Sequence, residues 1–248
     1  MSTQITTLVE NHPDEHKTLE NEHGISFLIR HNMTTVVFDT GQSDRFLRNA
    51  ASLNEDLSSV DHVVLSHGHY DHTNGLPYLV QEITADFTLH VHRDLFDPKY
   101  VTEGLSAAFR GPSWTREWIE KSGVTVRLVE GTGYEVVPGV HIVTRFDHPH
   151  PLEEKNPRFV IRRPESEELE VDDFRDEISL VVETEKGLIV IVGCSHPGIM
   201  NMLDTVNARF EAPIFAVLGG THLVEAHGKR LEATIGYFSH GKIGKLGV

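Results

Sequence analysis

The 248-residue chain has one cysteine, Cys194, and two tryptophans. A single thiol excludes an internal disulfide framework and any cysteine-rich zinc cluster. Basic residues are scarce too: 22 Lys and Arg stand against 37 Asp and Glu, a formal net charge of −15. That balance argues against a protein built to grip nucleic-acid phosphates or an anionic membrane. Long apolar runs are missing. Gly187-Leu-Ile-Val-Ile-Val-Gly193 is among the longest, and it is far too short for a bilayer span. The first residues show no basic segment followed by an apolar core, so no secretory signal is expected and the cytoplasm is the expected compartment. No fixed-period repeat or Gly/Ser linker divides the sequence, which favours one domain over residues 1–248.

Histidine, by contrast, is abundant, with 17 residues. Scattered on a surface they would mean little; gathered at strand ends they would mean metal chemistry. Runs rich in Val, Ile, Phe and Thr predict strands at 5–10, 25–30, 35–40, 62–66, 87–92, 124–130, 134–137, 140–144, 178–184, 188–193 and 214–219. Apolar residues at helical spacing predict helices at 44–53, 76–83, 113–122, 199–210 and 229–239. The fold class is therefore α/β (α+β), with strands in two blocks and helices free to cover them. Residues 148–177 open Pro-rich and close on an acidic run, and they read as a solvated loop or flap carrying much of the charge.

The decisive segment is Leu65-Ser-His67-Gly-His69-Tyr-Asp71-His72. It closes the apolar run Val63-Val64-Leu65 and precedes a helix, so four potential ligands fall in a strand-to-helix loop. His67 and His69 alternate and can point to one side; Asp71 and His72 are offset and can address a second ion. Imidazole with carboxylate suits Zn²⁺ at about 2.0–2.2 Å, and Mn²⁺ or Fe²⁺ also fits.

This H-x-H-x-D-H pattern resembles the metal-binding signature of the metallo-β-lactamase fold superfamily. Val36-Val-Phe-Asp39-Thr-Gly41 resembles the strand-plus-Asp motif that precedes it. Three further stretches are similar to a subgroup of metal-dependent hydrolases related to a dihydropterin–ribofuranosylaminobenzene phosphate synthase. They are Leu8-Val-Glu-Asn11, His23-Gly-Ile-Ser-Phe-Leu28, and Asp176-Glu-Ile-Ser-Leu180 leading to Gly193-Cys-Ser-His196-Pro-Gly198. The resemblance implies a four-layer αβ/βα sandwich of two mixed β-sheets, with one or two metal ions at one edge.

It also implies later site residues. His196 ends an apolar strand before a Pro-Gly turn and is expected as a ligand; His222 ends the next strand as a ligand or a proton donor. Asp39 is expected to support the ligands by hydrogen bonding. The superfamily's usual His before the strand at 178–184 is replaced by Asp176-Glu177, which stay open as ligand, base or acidic loop end. The subgroup's final Ser-His-Cys-Thr-Gly stretch has no counterpart before Val248, so the domain is expected to lack that segment, with His240 a weak stand-in. Lesser signals are His148 and His150 in a Pro-rich loop, Cys194 as a buried filler or nucleophile, and Trp114 with Trp118 as an apolar helix face. Arg145, Arg158, Arg162 and Arg163 are either an anion site or partners of the acidic run.

The expected activity is metal-assisted hydrolysis of an ester, lactone, thioester or phosphodiester, with Asp71 and His222 as catalytic groups. The alternatives are a transferase joining a pterin and an arylamine phosphate, and a non-catalytic metal-binding or ligand-sensing protein. Oxygen-reducing diiron relatives carry Glu where this chain has His69, which argues against them. The expected partner is a small-molecule substrate, possibly anionic, with neither nucleic acid nor membrane; the oligomeric state is open.

Overall fold

The computed structural model describes residues 2–83, 86–146, 150–163, 168–224, 226–240 and 243–248. The chain runs through β1 (Thr3–Val9), β2 (Ser26–His31), β3 (Thr34–Phe38), α1 (Arg45–Ser52), β4 (His62–Val64), α2 (Tyr70–Thr73) and α3 (Leu76–Glu82). Then come β5 (Thr88–His92), β6 (Lys99–Glu103), β7 (Ser106–Phe109), α4 (Arg116–Lys121), β8 (Thr125–Val129), β9 (Gly133–Val137) and β10 (Val140–Thr144). The rest is β11 (Phe159–Arg162), β12 (Leu169–Val171), β13 (Ile178–Thr184), β14 (Gly187–Val192), α5 (Ile199–Arg209), β15 (Ile214–Gly219), α6 (Lys229–His240) and β16 (Lys245–Gly247).

Two six-stranded mixed sheets, ordered β1-β2-β3-β4-β5-β8 and β16-β15-β14-β13-β10-β9, form the body. Alternation along each strand divides its apolar side chains between two interfaces. Phe27, Ile29, Val36 and Phe38 face the second sheet, where they meet Ile142, Ile178, Leu180 and Val182. Their neighbours Leu28 and Val37 face outward with Phe46, Ala50, Leu76 and Leu79 of the helices. On the other side Val181, Val190 and Val192 pack with Ile199, Leu203 and Val206 of α5. Three apolar interfaces make the expected helix–sheet–sheet–helix sandwich. Burial on both faces is why these strands read as nearly continuous apolar runs.

The sequence reading missed a third sheet, ordered β12-β11-β6-β7. It corrects the expectation of a solvated flap at 148–177. Within the described residues that stretch forms β11 and β12, and its Asp172, Asp176 and Glu177 are buried. Of the histidine pair flagged in that loop, His148 lies outside the described residues, and the backbone N–H of His150 donates to Asn201 Oδ1. Arg163 is paired with Asp97, Asp173 and Glu170, so it takes the structural role rather than that of a free anion site. Trp114 and Trp118 pack together in the outer core, as their spacing implied.

A polar chain crosses between the body sheets from the first residue of β4: His62 Nδ1 lies 3.1 Å from His90 Nε2, and His90 Nδ1 lies 2.6 Å from Tyr134 Oη. Burial, with the charges of His62 and Arg127, holds His90 down at about 3 from an ordinary 6.5. The unfolded chain therefore binds a proton that the folded chain refuses, and stability falls as pH drops from about 6.5 towards 3. The loss is about 2 kcal/mol at pH 5. Thermal unfolding of His90→Gln between pH 4.5 and 7.5 is expected to show a shallower pH dependence than the parent. Identical slopes would remove His90 from the account.

Candidate metal centre

The site lies where β4, β14 and β15 end, on the side at which parallel strands of such sheets carry their ligands. The sheets are tied there by Ile178 N donating to Ser66 O at 2.8 Å. Asp39, just after β3, is the hub. Its Oδ1 accepts Ser66 N at 2.7 Å, and its Oδ2 accepts Ser66 Oγ at 2.8 Å and His72 Nδ1 at 2.7 Å. Because the Ser66 hydroxyl proton goes to Asp39, Ser66 Oγ is left to accept from His67 Nδ1, 2.9 Å away. Both rings thus keep a proton on Nδ1, so Nε2 is the atom each offers a cation, bare in neutral His67 and freed in His72 once a cation displaces its second proton.

Those lone pairs converge with others. His67 Nε2 and His196 Nε2 lie 3.0 and 3.2 Å from His69 Nδ1. On the other side His72 Nε2 lies 3.1 Å from Cys194 Sγ and 3.4 Å from Asp71 Oδ2. Two donor groups capable of holding a metal ion emerge: His67–His69–His196 and His67–His72–Cys194. Burial, reinforced by the neighbouring imidazoles, keeps His67 and His196 well below the ordinary histidine range, and burial takes His69 down to about 3. Burial opposes charge on His72 as well, but Cys194, Asp39 and Asp71 overcome it and raise its pKa well above the ordinary value. Burial works against ionisation of Asp71, yet His72 wins and lowers it. The Cys194 thiol is pushed up by burial. Neutral imidazoles with nitrogens this close, and a buried His69 Nε2 with no partner, fit a cation and its coordinating groups.

Backbone strain gathers here. Asp39, Phe174, Ser195 and His222 all have positive φ, between 45° and 58°. Non-glycine residues hold such conformations only where their surroundings over-determine them. Ser195 is fixed by its hydroxyl on Gly220 O at 2.7 Å, which joins the ends of β14 and β15.

The sequence-derived candidates fare as follows. His67, His69, His72 and His196 are brought together. Asp71 lies beside them, 5% exposed. His222 is outside both donor groups; its ring sits 4.5 Å from that of His196 and 5.4 Å from Phe159. Asp39 hydrogen-bonds to His72 directly and to His67 through Ser66. Asp176 accepts Gly68 N at 2.7 Å, and Glu177 is buried with Oε2 3.8 Å from His67 Nδ1. His240 is exposed on α6. Cys194, expected as a buried filler or a nucleophile, sits among the candidate donors; the strand-end logic that selects His196 applies equally two residues earlier. His23 was also missed as a contact. Its Nε2 lies 3.4 Å from Asp71 Oδ2, and its side chain is 63% exposed.

Residues 22–210 match the model of the metallo-beta-lactamase superfamily. The chain belongs to the metallo-β-lactamase superfamily. It is 32% identical over 240 residues to the 7,8-dihydropterin-6-methyl-4-(beta-D-ribofuranosyl)-aminobenzene-5'-phosphate synthase of Methanocaldococcus jannaschii, covering 94% of this chain and 81% of that protein. An uncharacterised protein of the same archaeon is 30% identical over 94% of this chain and 85% of its own length. The crystal structure of Tm1679, a metal-dependent hydrolase of the β-lactamase superfamily, superposes with a TM-score of 0.83 at 31% identity, over 99% of this chain and 86% of that one. Membership accounts for the sandwich and for the placing of the H-x-H-x-D-H loop at its edge. Among the described residues no helix is long and apolar enough to cross a membrane.

Proposed function

We propose that this superfamily member is a metal-dependent hydrolase acting, as a single domain, on a small ester, lactone, thioester or phosphodiester. One observation carries the reading: Asp39 and Ser66 fix the tautomers of two buried imidazoles so that their lone pairs meet those of His69, His196 and Cys194. His67, His69 and His196 would hold one ion, and His72, Cys194 and Asp71 would hold or flank a second. A mixed imidazole and thiolate set favours Zn²⁺ over Mn²⁺ or Fe²⁺. A cation held there would lower the pKa of a water towards about 7 and would polarise the scissile group.

The chain's own residues supply the rest. Asp71, ionised beside His72, orients the nucleophilic water and accepts its proton. His222, its ring tilted against that of His196, protonates the leaving group. Phe159 and Phe174 pack on the His69 and His196 rings and shield that side from bulk water. A second reading, a transferase joining a pterin to an arylamine phosphate, rests on the identity with the archaeal synthase.

Metal analysis and a substrate panel decide between these. The purified chain is expected to hold at least one equivalent of zinc and to hydrolyse a member of an ester, lactone and phosphodiester panel. Turnover of a pterin and an arylamine phosphate instead would favour the transferase. Less than one equivalent of metal, with no turnover of either kind, would sink the enzyme reading.

A further inference from the structure

Next to the centre lies a cation that neither the superfamily signature nor the mechanism above uses. Lys99, on β6 of the third sheet, is 2% exposed. Its Nζ lies 2.9 Å from Asp172 Oδ2 and 3.0 Å from Asp176 Oδ1. Each carboxylate has a second task. Asp176 Oδ2 accepts the N–H of Gly68, the residue between His67 and His69, at 2.7 Å. Asp172 Oδ1 accepts the N–H of Phe174 at 2.7 Å. The Phe174 ring lies flat on His196, with 4.0 Å between centroids and 7° between planes.

Both arms are under constraint. A Cβ on Gly68 would lie 2.3 Å from Leu95 O and 2.9 Å from Lys99 Cε, so the H-x-H turn rests directly on the lysine stem. Phe174 has φ +50°, a conformation that the Asp172 hydrogen bond keeps in place. One ammonium therefore reaches all three imidazoles of one donor group: two through Asp176 and Gly68, the third through Asp172 and Phe174. The other donor group shares His67, but its His72 hangs from Asp39 instead, and its Cys194 lies against that His72.

We infer that Lys99 is a positioning residue for the His67–His69–His196 group, pinning the third sheet to the metal loop and setting the spacing of those three rings. The inference rests on the metal-centre reading of the site and concerns that half of it alone.

The test is a cobalt titration of the metal-stripped full chain, followed by absorbance against a competing chelator. Cobalt on the Cys194 side shows a thiolate charge-transfer band; cobalt held by histidines alone does not. In Lys99→Met the histidine-only ion is expected to bind about 10- to 100-fold more weakly, the scale seen when groups behind metal ligands are lost. The thiolate band is expected to titrate as in the parent, and Lys99→Arg is expected to recover part of the loss. Lys99→Met leaves two carboxylates uncompensated, so Lys99→Met/Asp172→Asn, which keeps the cluster's net charge at that of one ammonium with two carboxylates, provides a second test. Parental affinity at both sides, or equal weakening of both, overturns the inference. So does failure of both variants to fold, which would assign the cluster to the fold alone. Cobalt taken up only with the thiolate band leaves no histidine group to position and overturns it too. A parent that binds no cobalt overturns the metal centre itself.

Discussion

Asp39→Ala is expected to cost about 4 kcal/mol of stability and to weaken metal binding about 10- to 100-fold. The aspartate accepts from Ser66 N, Ser66 Oγ and His72 Nδ1, and Asp39, Ser66 and His72 are all essentially buried. Each donor left without an acceptor costs about 1–3 kcal/mol, less where water can enter the space vacated by the carboxylate. Against a typical domain stability of about 5–15 kcal/mol that is a large fraction, and urea unfolding will register it. The metal effect follows from the tautomers, since only the longer 3.4 Å contact to Ser66 Oγ then holds the His72 proton on Nδ1, and the Ser66 hydroxyl loses the acceptor that turns its lone pair to His67.

The isosteric Asp39→Asn separates the two effects. Its amide oxygen still accepts Ser66 N, but its NH₂, in place of Oδ2, faces both Ser66 Oγ and His72 Nδ1 as a donor. His72 must then move its proton to Nε2, which removes the lone pair aimed at Cys194 and Asp71. Stability is expected to fall by only about 1–2 kcal/mol, while the thiolate–cobalt band weakens or vanishes. If Asp39→Asn binds metal like the parent, the tautomer account is wrong, whatever its stability.

Much of this was legible locally. The body strands announced themselves because each is buried on both faces, and His67, His69, Asp71 and His72 because these candidates lie within six residues at the end of one strand. The third sheet did not. Its strands are three to five residues long, interrupt their apolar positions with Lys99, Glu170 and small residues, and pack on one face. The acidic run misled for a related reason. Asp172 and Asp176 are buried because of Lys99, 73 and 77 residues away, and no local pattern encodes such a pairing. A run of acids is a solvated face unless a distant cation claims part of it, and here one does. Cys194 failed differently: position marked it, but a lone thiol after an apolar strand was weighed as packing, and only the approach of His72 Nε2 shows otherwise.

The His23-Gly24 pair, which carried part of the subgroup resemblance, supports the other large effect. Gly24→Ala is expected to destabilise the chain by about 2–4 kcal/mol and to lower activity at least tenfold. Gly24 has φ +122°, a region that side-chain-bearing residues rarely enter, and a Cβ there would lie 2.0 Å from Asp71 O. The clash is backbone on backbone, so no rotamer relieves it; either the Gly24 segment lifts or the Asp71 turn retreats. The Gly24 segment is held firmly. Gly24 N donates to Asn11 Oδ1 at 2.8 Å, and buried Glu22 accepts Gln42 N, Ser43 N and Ser43 Oγ at 3.0, 3.2 and 2.5 Å. With that side anchored, the displacement falls on Asp71, the group proposed to aim the nucleophilic water, and a shift of about 1 Å at such a position is worth up to about 100-fold in rate. Glu22→Gln provides the contrast: it loosens the anchor without adding bulk, so Asp71 keeps its place and activity is expected to fall far less than stability. Equal activity in Gly24→Ala and the parent, at matched metal content, would show that the turn carrying Asp71 yields without consequence and that Asp71 is not the base.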